Sequence, residues 1–171
     1  VMQHVPQAKP LLEAGRLRFG TVDSWLLWKL TGGVIHATDH SNASRTQLFD
    51  TGKLVFSEDL CALFGAPLSA LAEPMPSDSR FGETAGIATA LRAGIPVLAM
   101  MGDSHAALYG HGVRKAGTVK ATFGTGSSLM TLTSQRVSSS HGLSGTIAWT
   151  DNTGTAYALE GNITASAQAE S

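Results

Sequence analysis

Cysteine is nearly missing from this chain: Cys61 is the only one among 171 residues. A lone thiol excludes an internal disulfide and every paired-cysteine zinc motif, so Cys61 reads as a small apolar core residue. Charge is scarce too. Asp, Glu, Lys and Arg make up 15% of the chain, with 12 basic residues against 13 acidic ones. Without a basic block, nothing points to a nucleic-acid surface. No apolar run reaches membrane-spanning length and no signal peptide opens the chain, so no membrane partner is expected. The metalloprotease signature HExxH is missing. His105 and His111 are not on one helical face, and they read as ordinary helix histidines. There is no P-loop Gly-Lys-Ser/Thr either. What remains is a chain with 43% hydrophobic residues, enough for a sizeable core.

The most informative stretch is residues 95–112, IPVLAMMGDSHAALYGHG. Residues 95–101 are continuously apolar and too few for an ordinary helix, which predicts a buried strand. Gly102 allows a sharp turn. The alanine-rich segment that follows predicts a helix ending at Gly110–Gly112, with Asp103 at its N-cap. This places a carboxylate at the carboxyl end of a strand, where open α/β sheets hold their ligands. Three readings of the corner compete. Asp103 can be a helix cap. It can be a base that takes a proton from a hydroxyl. Or Ser104 can be a nucleophile, since Gly102-Asp103-Ser104-His105-Ala106 is one residue short of the G-x-S-x-G elbow. The last reading weakens because an elbow serine needs an acid and then a histidine downstream. His141 precedes Asp151, and no histidine follows it.

Elsewhere the pattern predicts helices over residues 7–17, 21–30 and 57–64, with a further turn over 68–71. Thr21 caps the second of these, Gly32-Gly33 end it, and Trp25 and Trp28 bury it on more than one side. Residues 34–38 read as a short strand, and Ser41 or Asn42 as the cap of a short helix holding a solvated or salt-bridged Arg45. Residues 74–86 read as a loop, and 88–93 as a turn of helix. Residues 118–123 and 128–133 flank Gly124-Thr125-Gly126 and predict a hairpin. Residues 134–145 are serine-rich and expected to be mobile. Residues 146–149 and 157–159 flank a second hairpin turn at Asp151–Gly154.

The FGTGSS turn is the second chemical feature. Gly124 and Gly126 let the backbone approach an anion and aim N–H groups at it, and Thr125 adds an oxygen. Alone the signal is weak, because Leu129 stands where G-x-G-x-x-G requires its last glycine. An acid at a strand end, a helix and then a glycine-tipped hairpin form one lobe edge of the actin-like ATPases.

FGTVDSWLLWKLTGG, TDHSNASRTQLFD, GDSHAALYGHG, FGTGSS and YALEGN, in this order, strongly resemble the FGGY carbohydrate kinases, glycerol kinases most closely. The resemblance implies an α/β, ribonuclease H-like/actin-like ATPase fold, present in part. Residues 1–112 would be the end of the first lobe and residues 116–171 the start of the second. The activity implied is transfer of the γ-phosphate of ATP, with Mg²⁺, to a polyol or sugar hydroxyl. Asp103 would be the general base, touch the substrate and lie near the metal. Ser104 would face the substrate, in the place where glycerol kinases usually carry Gln. Gly124, Thr125 and Gly126 would contact phosphate. Ala167 aligns with a nucleotide-contacting glycine, and Ser171 with its partner Gln. Both chain ends look cut, and the family's first phosphate loop, polyol-gripping residues and later adenine-binding glycines are not in this sequence. The piece alone is therefore expected to be inactive and to self-associate, the intact kinase to be a cytoplasmic homo-oligomer. A kinase for another polyol or a ketose such as xylulose, or a non-catalytic nucleotide-binding module, is the alternative.

Overall fold

The computed structural model describes residues 2, 4–86, 90–123 and 126–163. Its order of elements is α1 (Ala8–Glu13), α2 (Val22–Leu30), β1 (Ala37–Asp39), α3 (His40–Ala43), β2 (Phe49–Asp50), β3 (Val55–Phe56), α4 (Glu58–Leu63), a 3-10 turn (Leu68–Ala70), β4 (Glu73–Met75), β5 (Gly82–Glu83), β6 (Pro96–Val97), α5 (Asp103–Gly110), β7 (Val119–Thr122), β8 (Ser127–Thr133), β9 (Ser144–Asp151) and β10 (Gly154–Ile163).

The last four strands form one antiparallel sheet in the order β7-β8-β10-β9. Both expected hairpins are present, with longer strands than anticipated in the second. Met130 and Leu132 alternate inward on β8 while Leu129 faces out, the period of a half-buried strand. On β9, Trp149 pairs with Ala156 but Ile147 with Tyr157, so Ala148 is a bulge residue. The bulge lets β9 serve two cores. Leu108 and Val113 pack on Met130, Leu132, Ala148, Trp149 and Ala158. Ile147 packs instead with Ala43 and Phe49. At the end of α5, Tyr109 meets Trp149 edge-on at 5.1 Å, and the Arg114 guanidinium lies 3.7 Å over the Tyr109 ring.

Among the described residues the earlier strands pair only in twos. β1 runs parallel to β4, while β2–β3 and β5–β6 are antiparallel. Leu27, Ala37 and Phe81 form the third core. Ser57 caps α4 through Leu60 N–H, and Cys61 is buried and free. The helix ends where Gly65 takes a positive φ of 63°.

Several expectations need correction. The apolar run 95–101 is not a buried strand: only Pro96–Val97 is strand, paired on one side with β5, and Leu98 is 58% exposed. Pro96 has no N–H to donate, and among the described residues no strand pairs with the other edge. The α2 aromatics are not enclosed either. Ser24 and Leu27 are buried, but Trp25 is 58% exposed. Thr21 makes no cap bond to the backbone; its hydroxyl bonds Asp23 instead. Helix α1 is shorter than the expected 7–17. The segment expected to be loop, 74–86, takes in the end of β4 and all of β5, because its residues find partners at distant Ala37–Asp39 and Pro96–Val97. Of the helical turn expected over 88–93, residues 88 and 89 lie outside the described residues, and 90–93 are bends and a turn rather than helix. No helix among the described residues is long and apolar enough to cross a membrane.

Candidate functional site

Asp103 stands at the first turn of α5, and it is not the cap. The cap position is Gly102, which offers no side chain. Asp103 is exposed, and one of its oxygens accepts the N–H of Ser104 at 2.6 Å. Its charge at a helix N-terminus is favourable by about 0.3–1 kcal/mol. Among the described residues the carboxylate has no other hydrogen-bond partner, so its second oxygen is open to a ligand. Ser104, beside it, is half-buried.

Gly102 is not needed for an unusual backbone angle, since its φ is −59° and its ψ is 146°. It is needed for space. A Cβ there would lie 2.8 Å from His105 Nδ1 and 3.5 Å from Asn42 Oδ1. The corner is pressed between α5 and α3.

That second helix has its own acid corner. Asp39 ends β1 and caps α3, which corrects the expectation that Ser41 or Asn42 did so. Asp39 is fully buried. Oδ1 accepts from Asn42 N–H at 3.0 Å, the Asn42 amide at 2.8 Å and the Ser41 hydroxyl at 2.9 Å. Oδ2 accepts from Ser41 N–H at 3.0 Å and the Ser77 hydroxyl at 2.7 Å. Burying a carboxylate costs several kcal/mol. Hydrogen bonds to a charged group contribute about 1.5–3 kcal/mol each, enough to offset that cost across this set.

A charged cluster lies between the two corners and the sheet. Arg45 pairs with Glu160 of β10 at 2.9 Å; the arginine side chain is 39% exposed and the glutamate 7%. The other Glu160 oxygen accepts the Ser128 hydroxyl at 3.0 Å. His105, buried in α5, contacts the Thr146 hydroxyl at 3.3 Å, and Thr146 meets the Ser44 hydroxyl at 2.7 Å. Burial pushes the His105 pKa below its usual value of 6.5 and Arg45 pushes it further down, against the pull of Asp39, Glu160 and Asp103. Burial likewise lowers His40, which stacks on Phe49.

The expected site residues are thus partly placed. Asp103 and Ser104 sit at the mouth of the α5 corner. Gly126 is exposed at the foot of β8, two residues before the Ser128 that Glu160 holds. Gly124, Thr125 and Ala167 lie outside the described residues. Sequence reasoning missed Asp39, Glu160 and the role of His105. An Asp followed at the third position by Asn is a cap signal and could have revealed the first. Nothing local marks the pairing of Arg45 with a glutamate so far along the chain.

The fold is shared with solved sugar kinases. A glycerol kinase from Plasmodium falciparum, solved with ADP, superposes with a TM-score of 0.87 at 33% identity, covering 94% of this chain and 32% of that one. An apulose kinase of Pectobacterium atrosepticum is 48% identical over 166 residues, 96% of this chain and 33% of that protein. A glycerol kinase of Symbiobacterium thermophilum is 44% identical over 164 residues, 95% of this chain and 32% of that protein. This chain therefore spans about a third of the length of the curated relatives it matches. These define the class as sugar and polyol kinases on the actin-like ATPase fold. The family description "FGGY family of carbohydrate kinases, N-terminal domain" matches residues 1–110. The chain belongs to the FGGY family of carbohydrate kinases.

Proposed function

We propose that this chain forms part of a kinase that moves the γ-phosphate of ATP to a hydroxyl of a polyol or sugar. The observation that carries the reading is Asp103: an exposed carboxylate with an open oxygen, fixed at the start of a helix beside a charged cluster. Its open oxygen can accept the proton of an attacking hydroxyl and orient that hydroxyl toward phosphorus. Ser104 faces the same acceptor and is short, leaving room where glycerol kinases carry Gln. Relatives named for apulose and for glycerol at similar identity support a small polyhydroxy acceptor without choosing between them.

The turn at Gly124, Thr125 and Gly126 is assigned to the terminal phosphates, with Ala167 near the nucleotide. Magnesium is commonly held by one or two carboxylates together with substrate phosphates. No group of three or more potential ligands exists among the described residues, and a single open carboxylate suits such a shared ion. Asp103 would hold it, and the ion would neutralise phosphate charge. Residues 1–112 are assigned to one lobe and residues from 116 onward to the next, the cleft lying between them. The 171-residue piece alone lacks kinase activity and self-associates through its bare apolar faces, while the intact enzyme is a cytoplasmic homo-oligomer.

The test is Asp103→Asn in the intact kinase, assayed by phosphate transfer from ATP across a panel of polyols and sugars. A fall in kcat on the order of 10²–10⁴ is expected. Unchanged turnover with every acceptor phosphorylated by the wild type would overturn the assignment.

A further inference from the structure

We propose that Asp39 is a positioning residue for the Asp103 corner, acting through the Ser41 hydroxyl; this rests on the reading of Asp103 as the base. Ser41 is fully buried and its hydroxyl is a relay. It donates to Asp39 Oδ1 at 2.9 Å and accepts the N–H of Gly102 at 2.9 Å. Gly102 immediately precedes Asp103. Because the proton of the hydroxyl goes to the carboxylate, a lone pair is left aimed at that N–H. Asn42 borders the same glycine. Its amide donates to the same Asp39 oxygen, and its own oxygen sits 3.5 Å from where a Gly102 side chain would begin. Both groups of α3 that border Gly102 are thus oriented by one carboxylate.

The same carboxylate also faces the other way. Ser77 donates to Asp39 Oδ2 at 2.7 Å and accepts the N–H of Thr150 in β9 at 3.2 Å. Two serines on one acid therefore serve two different backbone groups: one holds the segment that carries the base, the other holds the sheet. This symmetry supplies an internal control. Both serines are buried and both bond Asp39, so a purely structural role predicts that their removal has the same consequences. A positioning role predicts that only Ser41 affects the chemistry.

In the intact kinase, Ser41→Ala should lower kcat on the order of 10- to 100-fold, because a small misplacement of a reacting group costs that much. The KM for ATP should stay unchanged. Exchange of the Gly102 amide hydrogen should accelerate in parallel. Ser41→Thr keeps the hydroxyl and should recover both the rate and the protection. Ser77→Ala should lower the melting temperature but leave kcat and Gly102 protection at wild-type levels. If Ser41→Ala is too unstable to purify, Ser41→Cys, a poor relay of similar size, is read the same way. Wild-type kcat and a protected Gly102 amide in Ser41→Ala or Ser41→Cys would overturn the proposal. So would equal losses of kcat in the Ser41 and Ser77 variants, or a stable Ser41→Thr as slow as Ser41→Ala. Asp103→Asn, run alongside, separates the two ideas: a dead Asp103 variant beside a fully active Ser41 variant removes the relay and leaves the base standing.

Discussion

Two aspartates in this molecule occupy nearly the same local setting and differ in almost everything else. Asp39 and Asp103 each stand at the start of a helix, Asp39 directly after a strand and Asp103 separated from one by five residues. Asp39 is fully buried, and both its oxygens are committed to donors from Ser41, Asn42 and Ser77. Asp103 is exposed and accepts only the N–H of its neighbour Ser104 among the described residues. A carboxylate whose lone pairs are filled can organise its surroundings but has nothing left for a substrate. A carboxylate with an empty oxygen is poorly used as scaffold and available for chemistry. The sequence pattern places a helix near both but misplaces both caps, and the donors brought by distant segments set the two carboxylates apart.

The contrast can be broken by substitution. The largest effect expected is on Asp103→Asn: kcat of the intact kinase falls on the order of 10²–10⁴, while stability drops by only about 0.3–1 kcal/mol, the value of the lost charge at the helix N-terminus. Asp39→Ala should do the reverse in kind. It strands several buried donors, and about 3–5 kcal/mol of stability should be lost in urea unfolding. Next comes the ion pair that joins the region after α3 to β10. Arg45→Met leaves Glu160 buried without its cation and should cost about 3 kcal/mol. Glu160→Gln keeps a partner for Ser128 and leaves only a half-exposed arginine, so it should cost about 1 kcal/mol. Equal costs in the two variants would mean the glutamate is better solvated than its burial implies.

The smallest effect is the pH response. His105 and His40 have pKa values below 6.5 in the folded protein, chiefly through burial. Unfolded, each binds a proton more readily than folded. Their contribution to stability is therefore complete above about pH 6.5 and declines as pH falls toward the folded-state values. His105 faces Asp39, Arg45, Glu160 and Asp103, so the carboxylates soften the decline without reversing it. Thermal midpoints should drop between pH 6.5 and 5, and His105→Gln should flatten the slope. A slope unchanged in that variant would assign the acid sensitivity elsewhere.

How much could be read from the chain follows from where partners lie. The β7–β8 and β9–β10 hairpins were legible because their strands pair with neighbours across short turns. α4 was legible because Ser57 and Gly65 mark its ends locally. The run around Val97 was misread because hydrophobicity records what a segment prefers to bury, not which partner reaches it. Trp25 was misread for the same reason. β4 was missed because its partner is Ala37–Asp39, remote in sequence. Within the candidate site, the helix that starts at Asp103 was legible from Gly102 and the alanine-rich segment that follows, although its cap is Gly102. The Asp39 relay was not, because it joins Ser41 to Gly102 and Ser77 to Thr150, and nothing in the local pattern records a contact over such distances.

The decisive measurement is a crystal structure of the intact kinase holding a non-hydrolysable ATP analogue and an acceptor polyol. An acceptor hydroxyl is expected about 2.6–3.2 Å from Asp103, hydrogen-bonded to its open oxygen, with the terminal phosphate against the backbone of Gly124–Gly126 across the same cleft. An acceptor held by some other base, with Asp103 turned away from the nucleotide, would contradict it.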